Sequence, residues 1–316
     1  MIFFWLIVFV VSLAALVKGA DWFLSSAEKV GLAVGLSPFI VGVTIVGAGT
    51  SLPELFSSLA AVLSGASEIV AANAIGSNIA NILLIVGISA LVGRRLMVSK
   101  DLIDLDLPLL AISTVLLLGV VWDKQVTWPE AVLLLITYGI YLLYTILHKE
   151  DAEEGKKTKK EKILVRPKFF AKDFVLLSVG ILGLVFGAKY LIDSVIGLSE
   201  IFSIGTGVIA ITAVAVGTSL PELLVSVKAV RKGKSEIALG NIFGSNIFNG
   251  LVVVGIPGLF KTLVLDEPTF MIGVPALALT TLLFVISGIS RRIHIWEGAF
   301  FLMVYVLFLA KLFSLF

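Results

Sequence analysis

The residues best placed for chemistry are two glutamates that lie in repeated copies of one heptapeptide. The sequence GTSLPEL occurs at Gly49–Leu55 and again at Gly217–Leu223, each time inside a stretch apolar enough to cross a membrane. The copies place Glu54 and Glu222 directly after a proline, and neither copy contains Lys or Arg. An ionised carboxylate in mid-bilayer costs about 2.5–3.5 kcal/mol on insertion scales. We therefore expect a bound cation to supply the missing positive charge.

The prolines predict a break in each helix beside the glutamate. Pro53 has no amide proton, and its ring clashes with the carbonyl of Gly49 four residues earlier. Carbonyls freed by the break, such as those near Gly47 and Ala215, need partners, because irregular backbone at membrane depth must be buried or line a polar cavity. Glu54 then falls in the first turn of the next helix, where the helix dipole favours a carboxylate.

Other oxygen-bearing side chains accompany both glutamates. In each copy, two asparagines and the serine between them recur at intervals of four residues (73, 77 and 81; 241, 245 and 249), which places them on one face of the following helix. The candidate ligands are Thr50, Ser51, Glu54, Asn73, Ser77 and Asn81 in the first copy, and Thr218, Ser219, Glu222, Asn241, Ser245 and Asn249 in the second. Oxygen donors of this kind suit Ca²⁺, which takes 6–8 of them, and also Na⁺, and they argue against zinc or copper.

Structural interpretations of the same residues also exist. A membrane proline near Ser and Thr is commonly a kink, and a lone Asn commonly ties two helices together. The recurrence of aligned Glu, Ser and Asn favours an ion site. For Asn73, Asn78, Asn241 and Asn246, a ligand role and a helix tie both remain open.

The two copies belong to a longer internal repeat. Residues 49–88 align without a gap with residues 217–256, and 24 of the 40 aligned positions are identical, polar ones included. We predict five membrane spans on each side of the chain's centre. Because five is odd, the second half must enter the bilayer from the opposite side, which is the inverted repeat of many secondary transporters.

The composition predicts an all-α polytopic membrane protein of ten transmembrane helices. The chain is 59% hydrophobic and 15% charged, and its mean hydropathy is +1.10. The 24 basic and 22 acidic residues nearly cancel, so the net charge suggests no nucleic-acid partner. Runs long enough to cross the hydrocarbon fall at 2–24, 38–63, 69–93, 105–122, 128–147, 173–198, 205–230, 237–260, 268–289 and 295–316.

The polar segment 149–172 divides the chain into a first five-helix repeat, 1–148, and a second, inverted one, 173–316. Threading ten spans places nearly all loop Lys and Arg on one side of the membrane. By the positive-inside rule, the 149–172 linker is cytoplasmic, and both termini are extracellular. We therefore expect a multi-pass protein of the cell membrane, with the lipid bilayer as its environment and no obligate protein partner.

The paired GTSLPEL segments, together with ANAIGSNIAN and GNIFGSNIFN, resemble the α-repeats of the cation/Ca²⁺ antiporter superfamily, in the compact prokaryotic form of its sodium/calcium exchanger branch. The resemblance implies Ca²⁺/Na⁺ antiport by alternating access, with the first and sixth spans sliding against a core that holds the ions. It implies no enzymatic activity and no cofactor besides the transported ions. The ligands that it implies are the acids Glu54 and Glu222, the hydroxyls of Thr50, Ser51, Ser77, Thr218, Ser219 and Ser245, the amide of Asn81, and the carbonyls of Gly47 and Ala215.

Asn249 departs from the family pattern, because some exchangers of this type have aspartate there. The counter-ion is therefore open, and a proton/calcium exchanger could use the same glutamates. An ion channel could use the same ligands but has less need of a compensated charge pair. An intramembrane enzyme is disfavoured because the chain has no His–Glu metal motif, no Ser with a nearby His and no facing pair of membrane aspartates.

Overall fold

Long apolar helices account for most of the computed structural model, which describes residues 2–33, 49–98, 106–154 and 171–315. Within these ranges, seven helices are long and apolar enough to cross a membrane, or eight if one bent pair counts as a span. The multi-pass helical membrane protein expected from the composition is therefore present. Parts of the predicted spans 38–63 and 105–122 lie outside the described residues.

The helices are named here in chain order, and a helix with an internal π-helical segment carries one name. They are α1 (Ile2–Ala33), α2 (Leu52–Leu63), α3 (Glu68–Gly93), α4 (Leu107–Val120), α5 (Trp128–Glu154), α6 (Ala171–Phe202), α7 (Thr206–Thr218), α8 (Leu220–Arg231), α9 (Ser235–Gly258), α10 (Thr269–Ile289) and α11 (Ile295–Leu312).

Helices α3 and α9 form the centre of the molecule. In each of them, 78% of the most apolar stretch is buried, against 17–39% in the other spanning helices. These two helices carry the repeated GSN segments, so the polar residues of the repeat lie in the most protected part of the fold.

Helices α1 and α6 pack closely along each other through glycines. A Cβ atom added to Gly19 would lie 2.7 Å from the amide nitrogen of Leu184, and one added to Gly180 would lie 2.6 Å from that of Phe23. Only residues without a Cβ permit this approach, which is typical of membrane helices that pack backbone to backbone. Much of the remaining surface of both helices is exposed, as expected for lipid-facing helices.

In the part of the chain that the structure describes, four short strands connect helix ends, and no strand was predicted from the sequence. They are β1 (Arg95–Met97), β2 (Gln125–Val126), β3 (Leu263–Val264) and β4 (Arg292–His294). Strand β1 pairs antiparallel with β4, and β2 pairs antiparallel with β3. Each two-stranded ladder joins the first half of the chain to the second at one end of the helices.

Within the described residues, four helices contain a π-helical segment of five or more residues. These segments are Ala80–Val86 in α3, Ala210–Val214 in α7, Asn249–Val253 in α9 and Thr269–Gly273 in α10. Such bulges are frequent at functional sites. The segments in α3 and α9 contain the equivalent residues Asn81 and Asn249, so the bulges lie where the repeat places its central amides.

Candidate ion-binding site

Both glutamates lie in the first turn of a helix that starts at the GTSLPEL motif. Helix α2 begins at Leu52 and helix α8 at Leu220, so each proline occupies an early position where its missing amide leaves no hydrogen bond unmade. Helices α7 and α8 meet at an angle of 42°, which confirms the predicted break in the second copy. Glu54 and Glu222 are both 0% exposed.

The two copies exchange hydrogen bonds at their glutamates. The Ser51 hydroxyl donates to Oε1 of Glu222 at 3.0 Å, and the Ser219 hydroxyl donates to Oε1 of Glu54 at 3.0 Å. Ser245 also donates to Oε1 of Glu222, at 3.3 Å. Each carboxyl is therefore held by a serine from the other half of the chain, and the halves meet at one site.

The second oxygen of each carboxyl is buried and has no hydrogen-bond partner. This holds for Oε2 of Glu54 and Oε2 of Glu222, and no Lys or Arg within the described ranges forms an ion pair with either glutamate. Buried polar atoms are normally paired, and leaving a charged group without a partner costs more than leaving a neutral one. The two oxygens are therefore available as ligands for a cation.

Hydroxyls and a carbonyl from both halves lie beside the glutamates. The Thr50 hydroxyl is 3.3 Å from the hydroxyl of Ser245. On the other side, Ser77 donates to the carbonyl oxygen of Ala215 at 3.5 Å, and Thr218 donates to the same carbonyl at 3.4 Å. The structure thus brings together every predicted oxygen donor of these types that it describes. Gly47, the remaining predicted carbonyl ligand, lies outside the described residues.

Asn73 and Asn241 support the backbone of the glutamates. The Asn73 amide donates to the carbonyl oxygen of Glu54 at 3.3 Å, and the Asn241 amide donates to that of Glu222 at 3.5 Å. Hydroxyls on α2 and α8 complete these contacts, namely those of Ser57, Ser58 and Ser226. These serines are not among the predicted site residues, although Ser58 and Ser226 are aligned and identical in the repeat.

A group of four amides lies between the central helices. Asn78 donates to the backbone oxygen of Asn246 at 3.0 Å, which is a tie between α3 and α9. Asn81 donates to Oδ1 of Asn246 at 3.1 Å, and its own Oδ1 is buried without a partner. Both amide atoms of Asn249 are buried and unpartnered, and its side chain is 0% exposed. Asn246 therefore orients the oxygen of Asn81, a contact that sequence spacing alone did not predict.

Taken together, the donors are two carboxylates surrounded by neutral oxygens. Within the described residues, no group of three or more His, Cys, Asp or Glu side chains could hold a metal ion. Two carboxylates with hydroxyl, amide and carbonyl oxygens match the preferences of hard cations such as Ca²⁺. The site lies at the first turns of α2 and α8 and draws its donors from both halves.

Comparison with known proteins gives a consistent result. The profile of the family described as "Sodium/calcium exchanger protein" matches residues 4–147 and 172–313. The sodium/calcium exchanger MaX1 of Methanosarcina acetivorans is 36% identical, over 97% of this chain and 98% of the relative. The solved structure of the sodium-calcium exchanger NCX_Mj, soaked with Na⁺ and Sr²⁺, superposes with a TM-score of 0.67 and 30% identity, over 98% of this chain and 99% of that one.

The matches extend beyond the microbial exchangers. The human sodium/potassium/calcium exchanger 5 is 24% identical, over 83% of this chain and 71% of the relative. The names of MaX1 and of this human relative thus state exchange that involves sodium and calcium.

Proposed function

This chain belongs to the sodium/calcium exchanger protein family, and on that premise we propose that it is a secondary antiporter that exchanges Ca²⁺ for Na⁺ across the membrane by alternating access. The observation that carries the proposal is the reciprocal pair of serine–glutamate hydrogen bonds around two buried carboxyls, each with an unpartnered oxygen. A family of exchangers and a site built for hard cations point to the same activity.

We assign the transported ions to one cluster of oxygens. The proposed ligands are the carboxylates of Glu54 and Glu222, the hydroxyls of Thr50, Ser51, Ser77, Thr218, Ser219 and Ser245, the amides of Asn81 and Asn249, and the carbonyls of Gly47 and Ala215. Support for this assignment comes from the burial of the described members and from their mutual contacts across the two halves.

Competition between Ca²⁺ and Na⁺ for this cluster explains how the transport of one ion is coupled to the transport of the other. One Ca²⁺ or two monovalent cations neutralise the two carboxylates. An empty pair of buried charges is costly at membrane depth, so the protein crosses between its two facing states only when the site is filled. Ca²⁺ and Na⁺ then exclude each other from the same oxygens, which makes movement of one depend on movement of the other.

The architecture proposed for this activity has ten spans in two inverted repeats of five. Both termini then face the outside, and the 149–172 linker is cytoplasmic. Helices α1 and α6 form the sliding pair, which is supported by their glycine-mediated packing and by their position outside the buried centre. The exchange of hydrogen bonds between equivalent residues of the two copies supports a two-fold relation between the halves.

The site is tested by removing its charge without changing its shape. In Na⁺-loaded proteoliposomes, Glu54→Gln and Glu222→Gln should each abolish ⁴⁵Ca²⁺ uptake, because one remaining carboxylate cannot neutralise a divalent ion. Glu200→Gln, at an exposed position of α6, is the matched control and should transport normally. Near-normal uptake by both site variants would remove the assignment.

A proton could replace Na⁺ as the counter-ion. Favouring this second candidate, both carboxyls have a buried oxygen that can carry a proton, and an amide, Asn249, stands where some exchangers have an acid. A pH gradient imposed without sodium should drive ⁴⁵Ca²⁺ uptake only if protons serve. Uptake that requires Na⁺ and ignores the pH gradient selects the first candidate.

A further inference from the structure

A second group of acidic and hydroxyl side chains lies away from the glutamate pair, where the first turns of three helices meet. Glu68 begins α3, Thr206 begins α7, and Asp266 lies three residues before α10. The Thr206 hydroxyl donates to Oε1 of Glu68 at 2.7 Å. A Cβ atom added to Gly207 would lie 2.3 Å from Oδ1 of Asp266, so this carboxyl rests against the first turn of α7.

Two oxygens in this group are buried without a hydrogen-bond partner. They are Oδ1 of Asp266 and the hydroxyl of Thr269, whose side chain is 0% exposed and lies beside the Asp266 carboxyl. Burial raises the pKa of Asp266, and the neighbouring charge of Glu68 raises it further. Glu68 contacts Thr206 and Asp266 contacts Gly207, so the two carboxyls lie against neighbouring residues of α7.

The surrounding cations do not account for this arrangement. Lys124 is in the same region, but its ammonium is 2.7 Å from Glu267, and no ion pair to Glu68 or Asp266 occurs among the residues that the structure describes. The favourable dipole at helix N-termini accounts for one carboxylate at the start of α3 and one before α10. It does not account for an acid oxygen and a hydroxyl that are both buried without a hydrogen-bond partner.

We propose that Glu68, Asp266, Thr206 and Thr269 form a separate binding site for a hard divalent cation such as Ca²⁺, at the mouth of the path to the central site. Two carboxylates and two hydroxyls are ligands that Ca²⁺ accepts. Helix α7 starts at this site and ends at Thr218 in the central one, about 18 Å away at 1.5 Å per residue. A negatively charged mouth raises the local concentration of cations.

The position of this mouth relative to the membrane rests on the proposed function. In the ten-span topology, the start of α3, the start of α7 and the segment before α10 all face the outside. The site would therefore bind ions that arrive from the extracellular solution. It would not affect the access of ions from the cytoplasm.

A direct measurement of Tb³⁺ binding distinguishes this site from the central one. In the purified full-length E54Q/E222Q variant, Tb³⁺ luminescence should report one remaining site, and adding Asp266→Asn or Gly207→Ala should abolish it. Gly207→Ala displaces the Asp266 carboxyl without changing any charge. Gly205→Ala is the matched control, because no atom lies within 4 Å of the added Cβ, and it should leave Tb³⁺ binding intact.

Transport gives a second readout in otherwise unmodified protein. Asp266→Asn, Glu68→Gln and Gly207→Ala should each raise the KM for extracellular Ca²⁺ by about tenfold, with Vmax and the KM for cytoplasmic Ca²⁺ unchanged. Loss of Tb³⁺ binding in E54Q/E222Q itself would overturn the proposal, as would Tb³⁺ binding that ignores Asp266→Asn. Two Tb³⁺ ions bound by E54Q/E222Q would refute the central assignment and leave this one standing.

Discussion

The contact between α3 and α7 at Gly76 sets how closely the two halves approach at the ion site. A Cβ atom added to Gly76 would lie 2.3 Å from the carbonyl oxygen of Ile211 and 2.7 Å from its Cα. Both are backbone atoms, which cannot rotate away as a side chain would. Gly76→Ala must therefore separate the two helices locally by about 1 Å to restore van der Waals contact.

That separation reaches the ligands directly. Ser77 follows Gly76, and its hydroxyl is 3.5 Å from the carbonyl of Ala215, which lies one turn beyond Ile211. Ca²⁺ accepts oxygens only at about 2.3–2.6 Å, so a displacement of this size removes a ligand from coordination. Losing one charge-assisted contact of about 1.5–3 kcal/mol weakens Ca²⁺ binding at least about tenfold. Overpacking should also destabilise the fold by about 1–3 kcal/mol.

The assay compares the KM for Ca²⁺ in Na⁺-driven uptake with the melting temperature of the detergent-solubilised protein. Gly240→Ala is the matched control on α9, because no atom lies within 4 Å of its added Cβ and the aligned residue in the first repeat is already Ala72. We expect Gly76→Ala to raise the KM and lower the melting temperature, and Gly240→Ala to change neither. Equal behaviour of the two variants would refute the reasoning.

Two further predictions concern an ion pair and an amide. Lys29→Met breaks a 2.6 Å ion pair with Asp173, whose side chain is 5% exposed, and should destabilise the protein by about 1.5–3 kcal/mol in thermal melts. Lys18→Met breaks an ion pair that is exposed on both sides and should cost about 0–1 kcal/mol, so equal losses would contradict the burial argument. Asn246→Ala removes the acceptor that orients Asn81, and we expect the KM for Ca²⁺ to rise about three- to tenfold with folding retained. An unchanged KM would show that Asn81 needs no such support.

The residues of the candidate site could be proposed from the sequence because the motif occurs twice. Each copy alone permits a structural kink, but two aligned copies pointed to Glu54, Glu222 and the serines that contact them. The helix break was readable for a similar reason, since proline acts locally. The family resemblance rested on the same segments, and it is confirmed.

Other features of the fold had no local signal in the amino-acid sequence. The π-helical segments lie in stretches where nearly every residue is apolar, so no periodicity distinguishes them from α-helix. The strands contain two or three residues each, and their pairing joins distant parts of the chain. Helices α1 and α6 continue to Ala33 and Phe202, beyond the membrane spans predicted to end at residues 24 and 198, because a helix can extend past its apolar run.

The contact between Asn81 and Asn246 was also beyond the sequence. Spacing placed both residues on buried helices but left the role of Asn246 open between ligand and tie. Which amide donates to which depends on the separation and rotation of α3 and α9, and these are set by packing over the whole interface. The ten-span topology and the inverted relation of the halves remain predictions from loop charges and span counting.

Because of the reciprocal hydrogen bonds between Ser51 and Glu222 and between Ser219 and Glu54, each GTSLPEL motif depends on the other for a hydrogen-bond donor to its glutamate. A first-half fragment would lose Ser219, the hydroxyl donor to Glu54, and a second-half fragment would lose Ser51 and keep only Ser245 as a hydroxyl donor to Glu222. Neither half can thus evolve or be engineered independently, because a substitution at a serine in one motif is felt at the acid of the other. Under the proposed assignment, ion selectivity is a joint property of both halves, and grafting a single motif onto another transporter would transfer only part of the coordination shell.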